Sequence, residues 1–156
     1  MFKDLILALS LCHNVTPVYP DEDDPSAKDY QASSPDEIAL VKFAEEIGME
    51  LSKREEEYLK LVTPNGEDDE YDILQNFPFS SDTKRMGIII RHRASGKIIF
   101  YVKGADTVMV SKVKPGQRSI CEEYCENLAR EGLRTLVISH KLVSEQAYEE
   151  FKVKLQ

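Results

Sequence analysis

Between Phe77 and Asp106 the chain gathers side chains that suit one kind of ligand. Phe79 offers an aromatic face, Lys84 and Lys103 offer two ammonium groups, and Gly104-Ala105 follows Lys103 without bulky side chains. A flat ring, two cations and bare backbone fit a flat heterocycle that carries phosphates. Glu37 is an acid whose presence has a sufficient structural reason, since Ser34, Pro35 and Glu37 read as a capping box with proline at the first helical position. One carboxylate has two oxygens, so capping and ligand contact need not exclude each other.

The elements that must position these residues follow from periodicity. Met86 to Arg91 and Lys97 to Val102 are rich in β-branched and aromatic residues and flank a short Gly-containing connection, which predicts a hairpin. Met49 to Ser52, Tyr58 to Val62 and Tyr71 to Phe77 read as strands before it, and Leu133 to Ser139 as a strand after it with Arg134 near its start. Helices are predicted over Phe2 to His13, over Pro35 to Ile47 with Leu40, Val41, Ala44 and Ile47 as the buried stripe and Gly48 as the stop, briefly over Asp106 to Lys112, over Gln117 to Arg130, and from Ser144 to about Leu155. In the first of these, Leu5, Ala8, Leu9 and Cys12 share one side. Short turns between consecutive strands make them antiparallel. The fold class is therefore α+β, one antiparallel sheet of about six strands flanked by helices.

Composition narrows the function. The 156 residues read as one domain, 1–156, with Pro17 to Asp29 (three prolines, five acids) as a flexible acidic loop. A net charge of −8 repels nucleic acid and anionic lipid, so an anion must be held by locally placed cations. No apolar run approaches the roughly 20 residues that span a bilayer, so no direct membrane contact is expected. Cys12, Cys121 and Cys125 form no disulfide framework and suit a reducing compartment. Cys121 and Cys125 read as half-buried thiols rather than a metal site. His92 reads as solvent-facing, and no Ser/His/Asp set or glycine-rich phosphate loop is apparent.

Five pieces, in order, resemble the nucleotide-binding domain of P-type ATPases, and of the phospholipid-flippase branch in particular. They are Cys12-His-Asn with its preceding helix, Tyr30-Gln-Ala-Ser-Ser-Pro-Asp-Glu37, Phe77-Pro-Phe-Ser with Lys84-Arg-Met86, Lys103-Gly-Ala-Asp106 and Glu131-Gly-Leu-Arg-Thr135. The resemblance implies nucleotide-binding roles for Glu37, Phe79, Ser80, Lys84, Met86, Lys103, Gly104 and Arg134. Phe79 would stack on adenine, Glu37 would accept from its amino group, Lys103 would lie at the base of the pocket, and Arg134 would face the phosphates. It implies ATP with Mg²⁺ as the ligand, no metal site on the domain itself, and a monomeric module that works with phosphorylation, actuator and transmembrane domains of a longer chain. The family's catalytic Asp sits in an Asp-Lys-Thr-Gly-Thr string in its separate phosphorylation domain, and that string is not in this sequence, so binding without hydrolysis is expected. Cys-His-Asn-Val-Thr-Pro and Lys-Arg-Met-Gly further resemble flippases of Golgi and endosomal membranes. Ser81 stands where other branches carry an Arg, which leaves one cation fewer. The alternatives are an interaction domain of this fold that has lost its ligand, and a free-standing phosphate enzyme.

Overall fold

The computed structural model describes residues 2–20 and 27–155. The chain runs α1 (Phe2–Leu11), β1 (Thr16–Val18), β2 (Asp29–Gln31), α2 (Pro35–Glu46), β3 (Glu50–Arg54), β4 (Tyr58–Val62), β5 (Asp68–Ser80), β6 (Arg85–His92), β7 (Ile98–Gly104), α3 (Asp106–Met109), a 3-10 turn, α4 (Pro115–Arg130), β8 (Val137–Val143) and α5 (Glu145–Leu155). Strands β3 to β8 form one six-stranded antiparallel sheet whose spatial order is the order of the chain. The expected α+β class and strand number are both present.

Both faces of the sheet are covered, which explains why Met86 to Ile90 is buried without interruption. Alternation sends Met86, Ile88, Ile90 and Tyr101 into a core with Ile6, Leu9 and Leu11 of α1 and Val41 and Ala44 of α2. The opposite face sends Ile89, Phe77 and Phe100 against Tyr148 and Phe151 of α5. A third cluster joins Met109 of α3, Cys125 of α4 and Val137 of β8. Leu5 of the expected α1 stripe is exposed instead; the helix buries Ile6, Ala8, Leu9 and Leu11. Gly48, at φ +97°, ends α2 as expected, and Met49 N–H donates back to the Ala44 carbonyl at 2.9 Å. Leu40 of the expected α2 stripe is half-buried and Ile47 is exposed, which leaves Val41 and Ala44 as the deep contacts.

Four readings change. The segment expected as a loop from Pro17 to Asp29 begins and ends in a two-stranded antiparallel ribbon, Thr16–Val18 against Asp29–Gln31; its residues 21–26 lie outside the described residues. Lys28 anchors it through 2.5 Å ion pairs to Glu45 and Glu50. The last strand starts at Val137, not Leu133, because its first partner, Gly104, is where β7 ends. Residues 131–136 are therefore a loop, and Arg134 sits in it. Ser34 precedes α2 with extended φ and ψ, but its side chain makes no capping bond, and Glu37 turns elsewhere. His92 is tied by Nε2 to Asp69 at 2.7 Å and by Nδ1 to Ser95 at 2.7 Å, with Tyr71 donating to the same carboxylate, so it links β5, β6 and the β6–β7 turn rather than standing as a free surface residue.

Candidate functional site at one end of the sheet

Strand register collects the candidate residues. Arg85 pairs with Gly104 and Gly104 with Val137, so the β5–β6 turn, the end of β7 and the start of β8 lie at one end of the sheet. Phe79 and Ser80 finish β5 there, Lys84 closes the turn, Lys103 and Gly104 finish β7, and the loop before β8 carries Arg134. The first turn of α2 reaches the same end through two adjacent acids, Asp36 and Glu37.

Lys103 sits on the α1/α2 face of the sheet, opposite Met86, with its side chain only 6% exposed. A buried ammonium needs a countercharge, and Glu37 supplies it: Nζ lies 3.0 Å from Oε1. The approach is off the hydrogen-bonding angle, so both Lys103 Nζ and Glu37 Oε1 keep hydrogen-bonding capacity that no described residue uses. This pair, not a capping box, is what Glu37 does in the fold. Its other oxygen accepts from the Asn14 backbone N–H at 3.4 Å, and the Asn14 side chain accepts from Asn76 at 3.2 Å.

The Cys12-His-Asn segment thus backs the site from below. His13 is fully buried; its Nδ1 accepts from the Val15 N–H at 3.0 Å, which leaves Nε2 to donate to the Ser10 carbonyl at 2.8 Å. Burial first, and then the positive charge of Arg54, hold its pKa well below the usual 6.5, so the ring is neutral. Burial also pushes the Cys12 thiol up to about 11, so it is a packing residue rather than a nucleophile. The sequence marks this segment by its resemblance and gives it no role of its own. Asn76 and Arg54 escape sequence reasoning altogether, and nothing in the local patterns predicts that Asn14 and Asn76 meet across 62 positions of chain.

Phe79 is 61% exposed, while Phe77, two residues earlier, packs on Phe100 and Phe151. Strand alternation would put both on one face; a register shift between Phe77 and Ser80, around Pro78, separates their surroundings. Lys84 stands at φ +50° in the turn, its N–H donating to the Ser80 carbonyl at 2.7 Å. The Ser80 hydroxyl accepts from the Asp82 N–H at 3.2 Å, so Ser80 shapes the turn that presents Lys84. Met86 is 2% exposed and belongs to the core under Lys103. Gly104 is bare for a different reason from the one the sequence suggested: an added Cβ would meet the Lys84 carbonyl oxygen at 2.6 Å and Arg85 Cβ at 2.7 Å. Its missing side chain lets β6 and β7 close. Arg134 is 81% exposed and ion-paired to Asp36.

Cys121 is half-buried and Cys125 buried, both free, and no group of three or more metal-ligating side chains occurs among the described residues. No helix among them is long and apolar enough to cross a membrane.

An antiparallel six-stranded sheet with helices on both faces, and an aromatic, two lysines, an arginine and two acids at one end, is the frame in which family membership can be read. Residues 1–155 match the family described as P-type ATPase, cytoplasmic domain N, and the chain belongs to that family. More particularly, it is 47% identical over 96% of its length to a probable phospholipid-transporting ATPase IIB of Danio rerio, covering 14% of that protein. It is 48% identical over 96% of its length to the phospholipid-transporting ATPase NEO1 of Saccharomyces cerevisiae, covering 13% of that protein. The human probable phospholipid-transporting ATPase IIB is 43% identical over the same 96% share, again with 14% of the relative covered. The chain thus spans about one seventh of the length of the relatives it matches.

Proposed function

We propose that this domain binds the adenine nucleotide of a phospholipid-transporting P-type ATPase and presents its γ-phosphate to a catalytic Asp in a separate phosphorylation domain of the parent chain. The observation that carries the reading is the convergence, at one end of the sheet, of an exposed Phe79 with a buried Lys103–Glu37 pair that has unused hydrogen-bonding atoms. An adenine ring stacked on Phe79 offers an edge with both amino donors and ring-nitrogen acceptors. Glu37 Oε1 can take the first and Lys103 Nζ can give to the second. Stacking of this kind is worth roughly 1–3 kcal/mol. Lys84 in the turn and Arg134 in the loop supply cations for the phosphate tail. The residues present fit ATP, and Mg²⁺ enters as the companion of the phosphates.

Ser80, Met86 and Gly104 serve the site by shape: they build the turn, the floor and the strand closure on which the contact residues sit. Association costs, the net negative domain and phosphates left in solvent all subtract, so the affinity should be weak, roughly 0.1 to 1 mM or about −5 kcal/mol. The parent's place is a Golgi or endosomal membrane with this domain on the cytosolic side, a reading supported by the Cys-His-Asn and Lys-Arg-Met segments. Titration of the labelled domain with ATP and with ITP, followed by NMR, tests the function. ATP should shift residues around Phe79 and Lys103 and bind more tightly than ITP, which lacks the amino group. Absence of any shift at millimolar ATP would favour an interaction domain that has lost its ligand. In a parallel assay, ATP with Mg²⁺ should be hydrolysed no faster than in buffer.

A further inference from the structure

The first turn of α2 directs two neighbouring carboxylates to two cations of the site, and does so in opposite surroundings. Glu37 meets Lys103 with the two side chains 14% and 6% exposed; Asp36 meets Arg134 at 55% and 81% exposed. The first pair is built into the core. The second links residues 98 positions apart, joining α2 to the loop between α4 and β8. That loop has no strand partner, because β7 ends at Gly104 opposite Val137, so Arg134 is carried on backbone that sheet pairing does not fix. Among the described residues no other acid pairs with Arg134.

We infer that Asp36 sets the phosphate preference of the site: it holds the Arg134 guanidinium in the nucleotide-free domain, and a nucleotide gains that cation only by displacing the carboxylate. This rests on the nucleotide-binding reading above. Exposed ion pairs are weak and screened by salt, so the exchange is open to a competing anion. A terminal phosphate carries more charge than a carboxylate and has three acceptor oxygens, so it outcompetes Asp36 when it reaches the fork. A ligand with no phosphate leaves the pair intact. Asp36 therefore acts through Arg134 as a positioning residue: it lowers the affinity for phosphate-bearing nucleotides without touching the base. The buried Lys103–Glu37 pair cannot be exchanged in this way, because separating it would strand a charge in the core.

The test is a titration of ATP, ADP and adenosine against wild type, Asp36→Asn, Arg134→Ala and the double variant, read by NMR or calorimetry. Asp36→Asn should tighten ATP or ADP about two- to fivefold, the range of an exposed pair, and leave adenosine unchanged. In the Arg134→Ala background the same substitution should change nothing. An equal gain in both backgrounds would mean that simple loss of negative charge explains it and would overturn the inference. Weaker ATP binding by Asp36→Asn, with the melting temperature preserved, would overturn it as well by making Asp36 an organiser rather than a competitor; Asp36→Ser repeats the measurement without an amide. Adenosine and ATP both failing to shift the wild-type domain would remove the nucleotide reading and this inference together. Adenosine binding normally while Asp36→Asn leaves ATP unaffected would remove this inference alone.

Discussion

Two ion pairs leave the same helical turn, one residue apart, and only their surroundings distinguish them. Lys103–Glu37 is largely buried between α2 and the sheet; Arg134–Asp36 stands in solvent. Burial makes the first pair obligatory, since removing either partner leaves a largely buried charge without its countercharge. Solvent makes the second pair optional, since each partner is hydrated without the other. A binding site benefits from both kinds. On the proposed nucleotide reading, the buried pair would fix where the adenine edge lies, and the exposed one would give way when phosphates arrive.

The largest effect should come from breaking the buried pair. Lys103→Ala should cost about 3–5 kcal/mol of stability, seen as a lower urea midpoint, and should also remove ATP binding; a variant as stable as wild type would place Glu37 in contact with water. Next is Phe79→Ala, which should weaken ATP and ADP alike by about tenfold, one stack's worth. It should leave stability nearly unchanged because the ring is 61% exposed. Unchanged affinity would remove the stacking role.

Acid and salt then separate the two surroundings. His13 lies fully buried beneath the buried pair and is kept neutral, its pKa well below 6.5. The unfolded chain takes up a proton near 6.5 that the folded domain refuses, so stability should fall as pH drops below about 6.5, by up to about 1.4 kcal/mol per pH unit. The His13 contribution should be flat above that pH. Chemical denaturation at pH 7.5, 6.0 and 5.5 measures it; a level profile would mean that His13 charges in place. Arg134→Ala should cost less than about 1 kcal/mol of stability, and the small difference from wild type should vanish in high salt. Smaller again in its effect on binding is Lys84→Ala, which should weaken ATP less than Lys103→Ala does, because its ammonium stands in a solvated turn.

Much of this architecture is legible in the sequence, and the failures have physical reasons. The strands are readable because both arms of the β6–β7 hairpin are β-branched and aromatic and the turn carries Gly96. Leu133 to Leu136 reads as strand on composition, yet a strand exists only where a neighbour offers backbone bonds, and β7 stops at Gly104. Ser34 and Glu37 satisfy the pattern of a capping box, but a buried Lys103 outcompetes a backbone N–H for that carboxylate, and the lysine lies 66 positions away. Phe79 and Phe77 are indistinguishable by alternation until the irregularity around Pro78 parts them. The open space expected beside Gly104 is absent: space left by glycine is filled by whatever lies nearest, and here that is the Lys84 carbonyl and Arg85. Asn76 has no local signature at all, and Asn14 is marked only as part of the Cys12-His-Asn piece. Their partnership is a tertiary event.

The strictly sequential strand order has a consequence in time. Each strand of the sheet pairs with its neighbour in the chain, so from β3 to β7 closure of each pair needs only a short loop, and such contacts form early because they cost little chain entropy. The helix α1, by contrast, must return across 89 residues to bring Cys12 against the Tyr101 carbonyl. The β3–β7 meander, which carries Lys103, is therefore expected to pair before α1 packs over it. Folding rates should accordingly be slowed by Ile88→Val in β6 more than by Leu11→Ala in α1, relative to their effects on stability. Equal transition-state sensitivity at the two positions would place the helical layer in the nucleus.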